Sequence, residues 1–481
     1  MSSPNIHLEA PSQEHAIVIG GSMAGLVAAR VLSSHFAQVT VLDRDRLPTA
    51  DGNRLGVPQG WHGHGLLASG LRVLTRLFPR LEADLLEAGA VTGDVVGDAR
   101  WFQHGCYKAK VQTGLRGLLL SRPLLEGMVR RHVAALPNVR VIGETHVVGL
   151  TLDTTCGHVT GIKLQHVGAP GTWLVDADLV VDASGRATRS PEWLAQLGFG
   201  RPDVEEVKVG LGYTSRIFRR RPEHLDGDVA VIIAPTPPET RCGFALAMEG
   251  DRWVVSLCGW TGDHAKPTPE GMLAFAKSLP RPEVYDIVRT ATPLTDPVAF
   301  AFPANVRRRY ERMRAFPERY LVVGDAIASF NPIYGQGMSV AALEGEALEA
   351  TLAESDGLAR LGPRFFARAA SVIDTPWMMA VGADFGFEGV TGVKPAGTSL
   401  VNWYLDHVHD AASTSESVCR AFFDVANLLT PPTALFHPRV VARVALERLV
   451  ARPRRVLDRP ARKARATLEI VGRERAAGSR S

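Results

Sequence analysis

The readable pattern begins with a short apolar run, Ala16-Ile17-Val18-Ile19, followed by a glycine-rich turn and then by Gly25-Leu26-Val27-Ala28-Ala29-Arg30-Val31-Leu32. An unbroken apolar run of this length suits a strand buried on both faces, and the small and aliphatic residues after it suit a helix packed on that sheet. A second apolar run, Val39-Thr40-Val41-Leu42, stops at Asp43. The spacing therefore predicts strand, tight turn, helix and strand, one βαβ unit of a doubly wound sheet. Helical patterns over 70–89 and 123–136, and further strand runs over 139–141 and 179–181, carry that sheet past residue 180.

From about 205 to 300 the period changes. Stretches such as Gly210-Leu211-Gly212-Tyr213-Thr214 and Trp253-Val254-Val255-Ser256-Leu257 read as antiparallel strands with one exposed face. A buried-type strand, Tyr320-Leu321-Val322-Val323, then leads to Gly324-Asp325, a long turn, and a helix whose face Ala341, Gly345, Leu348 and Leu352 is offset from Glu344, Glu346 and Glu349. After about residue 363 the pattern is helical, broken at Leu428 to Pro432, and no strand is expected. The fold class that results is α/β. A Rossmann-like domain (residues 1–95, 120–200 and 318–365) carries an inserted, mostly antiparallel β-sheet domain (96–119 and 201–317), and a helical C-terminal region with a basic tail follows (366–481).

Composition narrows the class. With 481 residues, 46% hydrophobic and 22% charged, the chain is long enough for two or three packed domains and is neither disordered, collagen-like nor coiled-coil. A net charge of +4 is too small to indicate a nucleic-acid partner. The surplus is local: Arg439 to Arg480 holds 13 basic and 4 acidic residues. That tail reads as a solvated segment, with weak contact to a membrane surface as the second reading. Five scattered cysteines without a CxxC pair indicate neither a disulfide framework nor a zinc site, which fits a reducing cytoplasm. Met1 to His15 lacks the apolar centre of a signal peptide, so a cytoplasmic protein is expected. The uncharged run Ala326 to Leu343 is interrupted by Asn331, Pro332, Gly335, Gln336 and Gly337, and is expected to be an active-site turn entering a helix rather than a membrane span.

Two segments carry chemistry. In Gly20-Gly21-Ser22-Met23-Ala24-Gly25 the first glycine permits a tight turn and the last permits close packing of helix on strand, so backbone N–H groups at the helix start can hold a pyrophosphate. Asp43, 18 residues beyond Gly25, is placed to accept from ribose hydroxyls, and its charge suits FAD or NAD but repels a 2′-phosphate. Gly324-Asp325 and the segment Pro332-Ile333-Tyr334-Gly335-Gln336-Gly337-Met338 separate those two ligands. A carboxylate can bind ribityl hydroxyls, and a small-residue helix start presents N–H groups and a positive dipole to the flavin N1 and C2 carbonyl, which NAD does not possess.

With Arg54-Leu55-Gly56-Val57-Pro58-Gln59-Gly60-Trp61-His62-Gly63-His64, Ser121-Arg122-Pro123-Leu124-Leu125 and Asp182-Ala183-Ser184-Gly185-Arg186, these segments resemble the FAD-dependent monooxygenases of the aromatic-hydroxylase type. Within that family the chain is most similar to actinobacterial flavin epoxidases of polyether biosynthesis and, more distantly, to squalene monooxygenase. The resemblance spans the chain to about residue 360 and weakens in the helices after about 370. It implies FAD held by Gly20, Ser22, Met23, Ala24, Gly25, Asp43, Arg44, Arg122, Val147, Asp182, Gly324, Asp325, Gln336, Gly337 and Met338. The main chain at Val147 is then expected at the adenine and Arg122 at the ribityl or pyrophosphate. It further implies a catalytic face at Pro332, Gly335 and Gly337, with Arg54 as a donor near the flavin. Ser22 departs from the family by replacing the middle glycine. Asp182-Ala183-Ser184-Gly185 lacks the Asp-Gly pair of many members, which leaves NAD(P)H and a separate flavin reductase both open as electron source.

The implied reaction inserts one atom of O2 into a hydrophobic polyketide or terpenoid through a flavin C4a-hydroperoxide, by alkene epoxidation or hydroxylation; reduction or oxidation of a polyprenyl or polyketide substrate is the alternative. Phe102, Tyr213, Phe244, Trp260 and Phe300 are candidate apolar walls. No His or Tyr pair legible in the sequence forms a proton relay, which favours an alkene. His62 and His64 lack a third ligand at metal-site spacing and are read as hydrogen-bonding residues, so no metal is expected. The halogenase segment Trp-x-Trp-x-Ile-Pro is missing, with Gly259-Trp260-Thr261-Gly262 no substitute. A hydrolase elbow is nearly spelled by Gly20 to Ala24, but the fifth position is Ala24 and the Gly324-Asp325 segment would be left unexplained.

Overall fold

The computed structural model describes residues 14–48, 52–54, 56–166, 168, 171–354 and 357–450. Most of the basic tail therefore lies outside the described residues.

The first apolar runs form the centre of a five-stranded parallel sheet in the order Tyr320–Val322, Leu179–Asp182, His15–Ile19, Gln38–Leu42, Val139–Ile142. His15–Ile19 is buried along its whole length because it is flanked by parallel neighbours on both sides, Ile17 pairing with Thr40 and with Val180. Helix Met23–Leu32 covers one face of this sheet and packs against helices Arg122–Ala134 and Gly337–Ala353. Over the sheet lies a three-stranded antiparallel layer, Thr145–Asp153, His158–His166 and Trp173–Asp176, which the strand reading did not anticipate.

The alternating region forms a nine-stranded sheet around Asp203–Arg219, Arg252–Gly259, Arg241–Met248 and Val298–Arg309. Alternation gives it two different faces. One, with Phe102, Ala245, Val255 and Leu257, is sealed by helices Pro269–Lys277 and Glu283–Thr290. The opposite face carries Tyr213, Ser215, Phe244, Ser256, Cys258 and Phe300 through the register Tyr213–Cys258, Tyr213–Phe300, Ser215–Ser256 and Phe244–Ser256. This second face turns toward the parallel-sheet domain, whose core it joins through Tyr213, Phe244 and Cys258.

The C-terminal region is helical over Leu361–Asp384, Thr398–Ala411, Glu416–Ala426 and Pro438–Val450, as expected. It also contains a two-residue strand, Thr391–Gly392, that pairs with Val207 and Lys208 and corrects the expectation of no strand. Among the described residues no helix is long and apolar enough to cross a membrane.

Glu344 departs from the polar side where the periodicity places the glutamates. It is buried, and Gly324 N–H donates to its Oε2 at 2.5 Å while its Oε1 has no partner among the described residues. Burial pushes its carboxyl up to about 8, against the lowering effect of the Gly324 hydrogen bond. Native protein thus holds this proton over a range in which the unfolded chain has released it, so stability falls as pH rises from the usual carboxyl range toward 8. Glu344→Gln is expected to flatten the melting-temperature profile between about pH 5 and pH 8, measured by scanning calorimetry; an unchanged slope excludes Glu344 as its source.

Candidate functional site

At the end of the first strand, Gly20 adopts φ +106° and a Cβ there would lie 2.5 Å from the Ala183 carbonyl oxygen. At Gly25 a Cβ would lie 1.8 Å from the Gly20 carbonyl oxygen, so only glycine lets the helix start this close to the strand. Ser22 stands at the N-cap but makes no capping bond. Its hydroxyl instead donates to Glu126 Oε2 at 2.7 Å and accepts from Arg122 Nη2 at 3.0 Å. The helix start is therefore left open to an external anion.

Asp43 Oδ2 accepts from Gly21 N–H at 2.7 Å and from Arg54 Nη1 at 3.0 Å. Arg54 also contacts Asp45 Oδ2 at 3.0 Å and Glu126 Oε1 at 2.8 Å. Burial disfavours both charges, but Arg122 and Arg54 hold Glu126 below its usual range, and Glu126, Asp43 and Asp45 keep Arg54 protonated. Arg54 is thus committed to Asp43, Asp45 and Glu126, which leaves its guanidinium engaged away from the Pro332–Gly335 turn where the catalytic role was expected. Arg44 is exposed, whereas Val147 is buried in a strand tied to Asp43 through the Thr145 N–H at 2.9 Å. The carboxylate of Asp182, expected to hold FAD, accepts from Ser184 N–H, Thr188 and Ser190, and the residue is fully buried, so its side chain is committed to its own turn.

At the other end, Asp325 follows Gly324 and accepts no hydrogen bond among the described residues. Burial raises its carboxyl, while Arg122, Arg186 and Arg308 oppose the rise. A Cβ on Gly337, the first residue of helix Gly337–Ala353, would lie 3.9 Å from Asp325 Oδ1. Asp325 and the helix start that bears Gln336, Gly337 and Met338 therefore face one space. Pro332 is exposed at the start of a short turn that ends at Gly335, with φ +65°.

This turn is held from an unexpected direction. Asp384, at the end of helix Leu361–Asp384, accepts from Asn331 Nδ2 at 2.8 Å, Tyr334 Oη at 2.9 Å, Trp260 Nε1 at 3.1 Å and Asn305 Nδ2 at 2.7 Å. Asn331 N–H in turn donates to Asn305 Oδ1 at 2.5 Å. Trp260 is accordingly a fully buried strut stacked on Phe387, and the substrate contact expected for it is corrected. Phe102 is corrected too, because strand alternation places it on the helix-covered face with Tyr107. Tyr213, Phe244 and Phe300 do share the face toward the turn. Phe244 lies over Gly63, whose added Cβ would meet its ring at 2.4 Å, and Gly65 passes within 3.5 Å of where a Gly335 side chain would begin.

These residues fit FAD. The open helix start and Arg122, whose Nε is buried without a partner among the described residues, suit a pyrophosphate. The Asp325 carboxylate suits ribityl hydroxyls, and the buried Gln336 Oε1, without a partner among the described residues, supplies a further acceptor. The sequence reading missed Glu126, Asn305, Asn331 and Asp384. Only Glu126 left a local signal, one helical turn after Arg122.

A family model described as FAD binding domain matches residues 13–356. Protein Rv3254 of Mycobacterium tuberculosis is 32% identical over 446 residues, covering 89% of this chain and 94% of the relative. Among solved structures, the flavin-dependent brominase Bmp2 aligns with a TM-score of 0.61 at 13% identity, over 90% of this chain and 99% of that one. PqsL, a probable FAD-dependent monooxygenase from Pseudomonas aeruginosa, aligns with a TM-score of 0.59 at 16% identity, over 78% and 97%. At these identities the two structures show a shared fold.

Asp325→Ala is expected to weaken FAD binding about 10- to 100-fold, the worth of a charge-assisted hydrogen bond, and to purify largely colourless; a fully yellow variant removes the assignment. Asp384→Ala strands four buried donors and is expected to cost about 3 kcal/mol or more in chemical denaturation, with Tyr334→Phe costing less than half as much.

Proposed function

The chain belongs to the FAD-binding-domain family, and from that premise we propose that it is a monooxygenase that transfers one oxygen atom from O2 to a hydrophobic polyketide or terpenoid substrate, by hydroxylation or alkene epoxidation. The observation that carries this reading is the approach of the Pro332–Gly335 turn to the aromatic face of the large sheet, with Gly65 and Gly335 so placed between them that a Cβ on Gly335 would lie 3.5 Å from the Gly65 Cα. FAD, when bound and reduced, supplies the electrons that activate O2.

The chain's own residues supply position and dryness. The start of helix Gly337–Ala353 directs its positive end at developing negative charge, and Gly337 lets that end approach closely. Asp384 fixes the turn through Asn331 and Tyr334, so the reacting face does not have to be ordered at each turnover. Buried Phe244 and Tyr213, with the partly buried Phe300 packed beside them, wall off water, which would otherwise divert activated oxygen to peroxide.

Likeness to a brominase raises halogenation as a competing chemistry, and the residues present argue against it. The Trp-x-Trp-x-Ile-Pro segment is missing, and Trp260 is committed to Asp384. Electrons come from NAD(P)H directly or from a separate reductase; Asp182 is not available to bind nicotinamide in either case.

Mixing anaerobically reduced holoenzyme with oxygen in a stopped-flow spectrometer is expected to show a spectroscopically distinct transient before oxidised FAD returns. Direct return of oxidised FAD with one equivalent of hydrogen peroxide, both alone and with a bound hydrophobic ketone, overturns the reading in favour of an oxidase or reductase.

A further inference from the structure

The sheet face that bears Tyr213 also bears Ser215 two residues on, with Ser256 directly opposite. His62 Nδ1 lies 2.7 Å from Ser215 Oγ, Ser215 Oγ lies 2.6 Å from Ser256 Oγ, and Gly63 N–H donates to Ser256 Oγ at 3.2 Å. This chain has a direction. Ser256 accepts from the Gly63 backbone and donates to Ser215, and Ser215 donates to His62 Nδ1. Run the other way, the Ser256 proton has no acceptor among the described residues. The neutral imidazole therefore carries its proton on Nε2. Burial pushes His62 down to about 4, which keeps the ring neutral at pH 7.

His62 Nε2 is buried and has no partner among the described residues, and neither has the hydroxyl of Tyr213. The two rings lie 5.9 Å apart, and Phe300 closes the triangle at 5.5 Å from His62 and 6.4 Å from Tyr213. Burial raises the Tyr213 phenol well above its usual range, so it too remains a donor. Two buried donors without an acceptor each cost about 1–3 kcal/mol, a cost that a ligand atom with free lone pairs removes.

We propose that His62 Nε2–H and Tyr213 O–H form a two-donor clamp for a carbonyl oxygen, and that the substrate is a hydrophobic ketone, enone or quinone-like molecule rather than an unfunctionalised alkene. Calling this ligand the substrate rests on the monooxygenase reading; the clamp itself is a claim about binding. A carbonyl oxygen offers two lone pairs and brings no proton, whereas an alcohol or phenol would bring a third proton to a site already holding two. The clamp also supplies no base. It keeps the expectation of no proton relay and changes only the expected ligand, from an unfunctionalised alkene to one that carries an acceptor.

The test uses oxidised FAD holoenzyme and two ligands that differ only in the oxygen, 1-tetralone and tetralin, in equilibrium dialysis. Tetralone is expected to bind about tenfold or more tightly than tetralin. Tyr213→Phe and His62→Leu should each remove most of that ratio, chiefly through loss of tetralone affinity, with FAD content unchanged. Infrared spectra should show the bound carbonyl stretch lowered in the native protein and partly restored in Tyr213→Phe. Ser215→Ala should reduce the ratio less, because it frees the His62 tautomer without removing a donor. Equal binding of the two ligands, or an unchanged ratio in Tyr213→Phe and His62→Leu, overturns the clamp. The oxygen reaction is scored separately: ketone discrimination without an oxygen transient leaves the clamp standing and sinks the monooxygenase reading, and the converse sinks the clamp alone.

Discussion

One buried carboxylate holds the reactive end of this protein together. Asp384 gathers donors from a sheet strand (Asn305), from the turn after another strand (Trp260) and from both ends of the short turn beside the flavin site (Asn331 and Tyr334). Three of the four donors, Trp260, Asn331 and Tyr334, converge on Oδ1 and Asn305 alone takes Oδ2, so each donor is held by an oxygen that cannot leave its place without stranding the others. Burial still raises its carboxyl, so the network is favourable only while every donor is in place. The C-terminal helices, where the family resemblance weakens, thereby set the position of the turn on which the chemistry depends. Removing them would leave a nucleotide-binding domain without a fixed reacting face.

The two ends of the flavin site solve opposite electrostatic problems. At the ribose end, charges are already neutralised within the protein: Arg54 is shared by Asp43, Asp45 and Glu126, and Glu126 is shared by Arg54, Arg122 and Ser22. Such a network is preorganised, and Asp43 is held in place before a ribose arrives. At the ribityl end, Asp325 and Gln336 keep acceptors free, and the desolvation of Asp325 is offset only at a distance by three arginines. FAD would supply donors to this end, whereas the first end already carries its own.

What the sequence made legible follows from how far apart the cooperating residues lie. The βαβ unit is contiguous, and its glycines, helix start and Asp43 can be read in one pass, because each requirement falls on neighbouring residues. The Gly324-Asp325 turn is legible for the same reason. Asp384 is not, since its four partners lie 50 to 124 residues away and nothing around it differs from an ordinary helix end. Glu344 was misplaced because helical periodicity assigns a face from composition, whereas here a backbone N–H in the neighbouring turn pulls a carboxylate inward. The ion pairs of Arg54 with Asp43, Asp45 and Glu126 are not legible either, because its motif fixes the loop but not the reach of a long side chain. Phe102 and Trp260 show the converse error: large apolar residues are legible as buried, but which sheet face they bury depends on register.

The aromatic face of the large sheet is polar at one point. A wall needed only to exclude water would be built most stably from aliphatic residues, and most of this face is apolar. Ser215, Ser256, His62 and Tyr213 interrupt it within one small area, and the hydroxyls are spent on orienting the imidazole rather than on contacting solvent. Two serines that fix a tautomer, and two donors left without acceptors, cost stability in a free protein and return it only in a complex. An arrangement of that kind selects by relief: a hydrocarbon leaves both donors as they stand in the free protein, so discrimination comes from the acceptor that only the carbonyl ligand adds.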